Sequence, residues 1–163
     1  MPFEIAENVN IPEGEYNFMR YRLEGEIAAK RKLSGQASWW FGTFYEGHLD
    51  QFELQLNWNP TALIGIEFNG EYNKGQLPWG NFDQTLVGTK IRFNVNSDLQ
   101  LNSYLQYDTN SRVLGINARV HWIFSPLGDL IFVFNHNTFN DPMDNWELQN
   151  EQILLKLRYN FRL

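Results

Sequence analysis

The chain has 163 residues, of which 43% are hydrophobic and 16% aromatic, with a formal net charge of -6 and no cysteine. This length suits one domain with a sizeable core. The lack of cysteine excludes disulfides and thiolate chemistry, and a negative charge with no basic stripe argues against nucleic acid as a partner. No apolar run approaches the roughly 20 residues that a spanning helix needs, so we expect no such helix.

Alternation of apolar and polar residues predicts about nine β-strands and no helix. Residues 1–15 are predicted to be a loop-like lead-in. The predicted strands are Tyr16–Leu33, Ala37–Glu46, Gln51–Trp58, Leu63–Tyr72, Thr85–Asn96, Leu99–Tyr107, Val113–Phe124, Leu130–Asn135 and Gln152–Phe161. Most neighbours are separated by short turns, so we expect an all-β antiparallel up-and-down meander. The whole chain, 1–163, is predicted to be a single β-barrel domain.

Successive side chains of a strand point to opposite faces, which separates the residues into an apolar and a polar set. The apolar set includes Met19, Tyr21, Leu23, Ile27, Phe52, Leu54, Leu56, Trp58, Ile64, Ile66, Phe68, Tyr72, Val87, Ile91, Phe93, Val95, Ile116, Ala118, Val120 and Trp122. The polar set includes Arg20, Arg22, Glu24, Glu26, Lys30, Gln51, Glu53, Gln55, Glu67, Glu71, Lys90, Arg92, Asn117, Arg119, His121, Lys156 and Arg158. A soluble barrel would turn the apolar set inward, whereas an outer-membrane barrel would turn it toward lipid.

Two features favour the outer-membrane barrel. The turns at Ser34-Gly35, Asn59–Thr61, Ser97-Asp98 and Ser125–Asp129 are short, whereas Asn73–Gln84 and His136–Glu151 on the opposite side are predicted to be long loops. Short periplasmic turns and long extracellular loops are typical of such barrels. Aromatic residues also gather at strand ends, as in the girdles at the membrane interfaces. The alternative for these aromatics is the core of a soluble sandwich.

The last residues, Ile153 to Leu163, alternate regularly and predict a closing strand. Its apolar residues Leu157, Tyr159, Phe161 and Leu163 are similar to the signal that the barrel insertion machinery reads. Complete single-chain bacterial barrels have an even number of strands. An odd count of nine therefore predicts that a strand preceding this chain is missing, so that the chain is a C-terminal fragment.

Several segments together resemble a known family. They are Phe3–Ile5, Ile11–Tyr16, Arg20–Glu24, Phe44–Gly47, Asn57–Pro60, Glu71–Asn73, Leu105–Asp108, Leu114–Ile123 and Asp129–Asn135. They resemble, in order and spacing, the C-terminal barrel region of large bacterial outer-membrane proteins of unknown function. Those proteins begin with a β-sandwich similar to family 9 carbohydrate-binding modules. The resemblance implies a location in the bacterial outer membrane and a missing N-terminal part, and it supplies no catalytic residues.

The candidate chemistry is sparse. Glu24 and Glu26 share a face, as do Glu67 and Glu71, and either pair could suggest two catalytic carboxylates. With many Arg and Lys residues on the same face, a mixed-charge network lining a lumen is the preferred interpretation. The histidines (His48, His121 and His136) lack metal-ligand spacing, and the acidic loop residues (Asp141, Asp144 and Glu147) lack the spacing of a calcium loop.

The sequence therefore predicts an outer-membrane β-barrel segment that acts as a membrane anchor or pore of a larger surface protein. We expect no catalysis, cofactor or metal, and name no catalytic, cofactor-binding or metal-ligating residue. The expected partners are outer-membrane lipid, the barrel insertion machinery and the missing N-terminal part, with no nucleic acid. The alternative is a soluble β-barrel or sandwich that binds a hydrophobic ligand. A third hypothesis, a glycosidase-like enzyme using Glu67 and Glu71, remains open to test.

Overall fold

A computed structural model describes residues 3–6, 9–28 and 30–161, and the predicted features at Arg162 and Leu163 lie outside these ranges. The described strands are β1 (Phe3–Ala6), β2 (Val9–Ile11), β3 (Arg20–Ile27), β4 (Leu33–Phe44), β5 (Gly47–Trp58), β6 (Ile64–Leu77), β7 (Gly80–Asn94), β8 (Leu99–Asp108), β9 (Val113–Ser125), β10 (Gly128–Asn140) and β11 (Trp146–Tyr159). No helix in the described part of the chain has the length and apolar character to cross a membrane.

Strands β3 to β11 form one nine-stranded antiparallel sheet in which each strand pairs with its neighbours in sequence. The predicted all-β antiparallel meander is therefore confirmed. Residues 28 and 30–32 and the turns 59–63, 95–98 and 126–127 lie at one end of the sheet, which we call the Pro126 end. Turns 45–46, 78–79, 109–112 and 141–145 lie at the other, the Trp79 end.

The strand register keeps the two predicted faces apart. Leu23 is opposite Trp39, which is opposite Phe52, which is opposite Tyr72. The residues one position further along, Glu24, Ser38, Glu53 and Glu71, are likewise opposite one another. Because directly opposite residues share a face, the first row lies on an apolar face and the second on a polar face.

The prediction of long loops at Asn73–Gln84 and His136–Glu151 is wrong. Residues 73–77 continue β6 and residues 80–84 begin β7, so the connection is only Pro78-Trp79. Residues 136–140 and 146–151 likewise belong to β10 and β11. These strand extensions carry polar residues on both faces, so they lack the alternation of apolar and polar residues that predicts a strand. Their backbones nevertheless continue to pair. Ser34 and Gly35 lie inside β4 rather than in a turn, and the predicted first strand is shortened to β3.

The lead-in also differs from the prediction, because it contains the antiparallel hairpin β1–β2. Val9 is 2% exposed and Ile11 is fully buried, and they pack with Leu77 of β6. In the described ranges four hydrophobic side chains are buried, and three of them (Val9, Ile11 and Leu77) meet in this contact. The fourth is Leu49. The hairpin therefore forms a small core of its own against the Trp79 end.

The apolar face of the large sheet is not a closed core. Phe52, Leu54, Ile91 and Phe93 are 43%, 39%, 43% and 40% exposed. Within ranges 3–6, 9–28 and 30–161, only the β1–β2 hairpin packs on the nine-stranded sheet, and no layer covers its apolar face. Strands β3 and β11 each pair along one side only. The described chain therefore presents a large apolar surface and two free edges.

Candidate functional site

An aromatic row crosses the apolar face over β3 to β6. The ring centroids of Tyr21 and Phe41 are 5.5 Å apart, and those of Phe41 and Trp39 are 4.5 Å apart. Trp39 stacks on Phe52 at 5.4 Å, and Phe52 stacks on Tyr72 at 6.3 Å. Neighbouring rings at these distances attract one another, so the row forms a continuous aromatic border.

Charged residues begin on the same face immediately beyond this border. Asp50, Lys74 and Asp83 are directly opposite one another on β5, β6 and β7, toward the Trp79 end. The indole N–H of Trp39 donates to Asp50 Oδ1 at 2.9 Å, and the Tyr72 hydroxyl donates to Asp83 Oδ1 at 3.0 Å. Both aromatic side chains therefore direct their polar atoms away from the apolar band and toward the charged zone.

A second aromatic border lies at the Pro126 end. It consists of Trp58, Phe93, Trp122, Phe124, Tyr159 and Phe161. The rings of Trp122 and Phe124 are 5.9 Å apart, and those of Tyr159 and Phe161 are 5.0 Å apart. Between the two borders the apolar band of β6 runs from Ile64 to Tyr72, which at about 3.3 Å per residue is about 26 Å along the strand.

On the polar face, the carboxylates of Glu53 and Glu71 are brought opposite each other by the pairing of β5 and β6. One amide, Gln51 Nε2, lies 3.3 Å from an oxygen of each. The Ser38 hydroxyl also donates to Glu53 at 2.7 Å, and Asn73 Nδ2 donates to Glu71 at 2.8 Å. Sequence reasoning missed this pair because it depends on strand register. Neutral donors hold both carboxylates in a polar lining.

The two carboxylate pairs proposed from the sequence do not converge in this way. Glu67 and Glu71 are four residues apart on one strand, or about 13 Å along it. Glu67 is paired instead with Lys90 at 3.4 Å and Arg92 at 3.2 Å. Glu24 contacts Arg22 at 2.8 Å and accepts from Gln36 Nε2 at 2.6 Å. These contacts match the predicted mixed-charge network on this face.

Another part of the network is a cluster of three side chains at the Pro126 end. Asp129 of β10 is 9% exposed. It accepts from Arg158 Nε of β11 at 2.8 Å, contacts a second guanidinium nitrogen of Arg158, and lies 2.7 Å from His121 Nε2 of β9. The carboxylate therefore joins the last three strands of the sheet.

We expect Asp129→Asn to lower the urea midpoint of unfolding, because Arg158 and His121 would then lose a shared anionic acceptor. Glu26→Gln, on the same face but exposed, should leave the midpoint unchanged. The double variant with Arg158→Gln should be less destabilised than the sum of the single variants. If the effects of the two single substitutions on stability simply added, Asp129 and Arg158 would not be coupled.

His48 and His136 fall outside the predicted strands, but they belong to β5 and β10. His48 of β5 contacts Asp50 at 3.3 Å, and His136 of β10 contacts Glu151 at 3.0 Å. His48 lies on the apolar face beyond the aromatic border, toward the Trp79 end. His136 lies on the apolar face beside Phe134, with the two ring centroids 5.9 Å apart. Among the described residues, no group of three or more His, Asp or Glu side chains is arranged to hold a metal ion.

The acidic segment Asp141 to Asn145 is an ordered turn. The Asp141 carboxylate accepts the backbone N–H groups of Asn145 and Met143, each at 2.8 Å. The bond from the Asn145 backbone is the main cause that holds the pKa of Asp141 below its ordinary value, followed by the Asn145 side chain, the Met143 backbone and Arg112. The charged carboxylate is thus a part of the turn.

A pH dependence follows for this turn. Because the pKa of Asp141 is lower in the folded state, its stabilising contribution is complete above the pKa of the unfolded chain and is lost as pH falls through the folded value. In a carbon-detected NMR titration, Asp141 should titrate at lower pH than in an unfolded peptide of residues 139–147. Equal midpoints would contradict the role of the carboxylate in the turn.

The apolar face also contains an open groove of about 630 Å³ over β3 to β7. Its floor includes the small residues Gly25, Ala37 and Gly70, and its walls include the rings of Trp39 and Phe52. The groove opens to the surface and is not an enclosed cavity.

The fold and its surfaces define the class: an all-β protein with a single antiparallel meander, one face apolar between two aromatic borders and the other face polar. Comparisons with family models, curated proteins and solved structures find no match to this chain. The resemblance to the barrel region of large outer-membrane proteins therefore stays a prediction.

Proposed function

We propose that this chain is a segment of an outer-membrane β-barrel and acts as a membrane anchor or pore of a larger surface protein, without catalysis of its own. The observation that carries the proposal is the exposed apolar band with an aromatic border at each end. A sheet that contacts lipid needs such a band, with amphipathic rings at both interfaces. A soluble sheet would leave this surface without a covering layer.

The direction of the polar atoms supports the same proposal. A Trp or Tyr ring at a membrane interface keeps its apolar part in the hydrocarbon and its N–H or O–H in the polar layer. Trp39 and Tyr72 have this arrangement, with Asp50 and Asp83 as acceptors beyond the border. The band of about nine residues on β6 also agrees with the about 9–11 residues that a tilted spanning strand needs.

The polar face is the proposed lumen. Some of its charges are paired, as in the contacts of Glu67 with Lys90 and Arg92 and of Arg22 with Glu24. Strands β3 and β11 run in the same direction, because every strand of the meander reverses the one before it. Antiparallel closure of the proposed barrel would therefore take an odd number of further strands between these two edges.

A flotation experiment tests the proposal. The chain is refolded with vesicles of phosphatidylcholine and phosphatidylglycerol, washed with alkaline carbonate and centrifuged through a density gradient. We expect it to float with the lipid and to be protected from protease over the band between the two borders. Recovery as a monodisperse monomer in buffer, without detergent or lipid, would contradict the proposal.

A second candidate function rests on the apolar groove. The lining of Trp39, Phe52 and Phe68 would suit a hydrophobic ligand in a soluble protein. Saturable binding of a fluorescent fatty acid by a lipid-free monomer, abolished by Ala37→Trp, would favour this function. In the membrane proposal the same groove holds an acyl chain of the surrounding lipid.

A further inference from the structure

The β1–β2 hairpin packs on the polar face of the sheet. The register places Leu77, Gly80 and Leu49 on the same face as Glu53 and Glu71. A Cβ built on Gly80 would lie 3.0 Å from Val9 Cγ2, so the hairpin is directly above this face. Ile11 and Val9 are buried here with Leu77. The contact therefore lies on the face that we propose as the lumen wall, at its Trp79 end.

Aromatic contacts hold the hairpin and the segment that follows it to the same end. The Tyr45 ring, in the β4–β5 turn, lies 5.7 Å from Phe3, 5.0 Å from Tyr16 and 5.0 Å from Phe18. Tyr16 also packs edge-on against Trp79 at 6.1 Å and donates its hydroxyl to the Pro12 carbonyl at 2.8 Å. The connection from β2 to β3 is thus folded back onto the turns rather than extended away from them.

The β4–β5 turn, which carries Tyr45, has a strained backbone. Tyr45 and Glu46 have φ values of 43° and 61°, a left-handed conformation in which two-residue hairpin turns prefer Asn-Gly. Bulky residues are strained there. Tyr45 occupies this position and contacts three aromatic rings of the segment from Phe3 to Phe18, so the strain is offset by the packing of the hairpin.

We propose that the β1–β2 hairpin is a cap that narrows the mouth of the polar lumen at the Trp79 end, and that its undocking widens the path along the polar face. This inference rests on the proposed function. The polar face also has an open cavity of about 260 Å³ whose lining includes Gln36, Ser38, Glu53 and Glu71. A solute that moves along this face from the Trp79 end would have to pass the hairpin.

Single-channel recording in planar phosphatidylcholine bilayers with potassium chloride tests the cap. Ile11→Lys places a charge in the buried contact and should undock the hairpin, whereas Asn10→Lys adds the same charge at the exposed neighbouring position. We expect Ile11→Lys to raise the conductance at least about twofold, because a constriction limits ion flow, and Asn10→Lys to conduct like the wild type.

A second variant and a second measurement test the cap even if Ile11→Lys misfolds. The double variant Tyr45→Asn with Glu46→Gly relieves the turn strain and removes the aromatic contact, so it should also raise conductance. Since the chain has no cysteine, Ile11→Cys and Asn10→Cys can be labelled separately with an impermeant maleimide. Position 11 should react roughly tenfold more slowly than position 10 if docking protects it.

The outcomes separate the cap from the proposed function. Equal labelling of positions 10 and 11 would overturn the cap, as would equal conductance among variants that conduct, and either result would leave membrane anchoring intact. Failure of the wild type to float with vesicles would overturn the proposed function, and the cap with it.

Discussion

Placing an arginine at the centre of the apolar band should block membrane insertion. Leu54 lies on the lipid-facing side of β5 in the proposed orientation, between the borders at Phe52 and Trp58. An arginine facing lipid at the bilayer midplane costs about 2–4 kcal/mol, and near the interface about 0–1 kcal/mol. We therefore expect Leu54→Arg to lower the free energy of unfolding from vesicles by about 2–4 kcal/mol and Trp58→Arg to have a smaller electrostatic effect.

The adjacent residue provides the matched control. Gln55 is on the same strand and at the same depth, but on the polar face opposite Gln36 and Asn69. Gln55→Arg should insert as efficiently as the wild type. If Gln55→Arg and Leu54→Arg were equally harmful, or if the effect of arginine did not depend on depth along β5, the apolar face would not be in contact with lipid.

A methyl group at Gly35 should separate β4 from β5. Gly35 is buried, and a Cβ built on it would lie 2.3 Å from the Gln55 carbonyl oxygen and 2.8 Å from Leu56 Cδ2. The first of these atoms belongs to the backbone and cannot rotate away. We expect Gly35→Ala to lower the free energy of unfolding by at least about 1–3 kcal/mol, as forced overpacking does. Denaturant unfolding in micelles measures the change.

Gly25 is the matched control for this substitution. It also lies on the apolar face, in β3, but a Cβ there would meet nothing within 4 Å. Gly25→Ala should be neutral or stabilise by about 0.4–1 kcal/mol, because it reduces the freedom of the unfolded chain. Similar destabilisation by both substitutions would show that the close approach of β5 to Gly35 is not the cause.

The separation into faces could be predicted from the sequence because it depends only on alternation. Leu54 and Gln55 need no knowledge of partner strands to be placed on opposite sides. The number of strands in the main sheet followed in the same way. Strand ends were less predictable. Beyond the aromatic border, β6 has polar residues on both faces, with Asn73 on one and Lys74 and Gln76 on the other. The hydrophobic pattern therefore does not show that β6 continues to pair with β7 there.

The hairpin and the polar network depend on contacts between distant residues. Strands β1 and β2 are too short for periodicity to be recognised, and their burial comes from Leu77. The opposition of Glu53 and Glu71 requires the exact register of β5 and β6, which alternation fixes only to within two residues. Sequence reasoning therefore selected Glu67 with Glu71, which share a strand, instead of the two that meet.

The most direct test of the central proposal compares two neighbouring tryptophans. Trp39 lies on the apolar face beside Phe52, and Trp40 lies on the polar face with the Arg22 guanidinium 5.0 Å from its ring. Single-tryptophan proteins, with the other five replaced by phenylalanine, are inserted into vesicles whose acyl chains carry bromine. We expect the lipid to quench Trp39 strongly and Trp40 weakly. Equal quenching, or quenching of Trp40 alone, would contradict a lipid-facing apolar band.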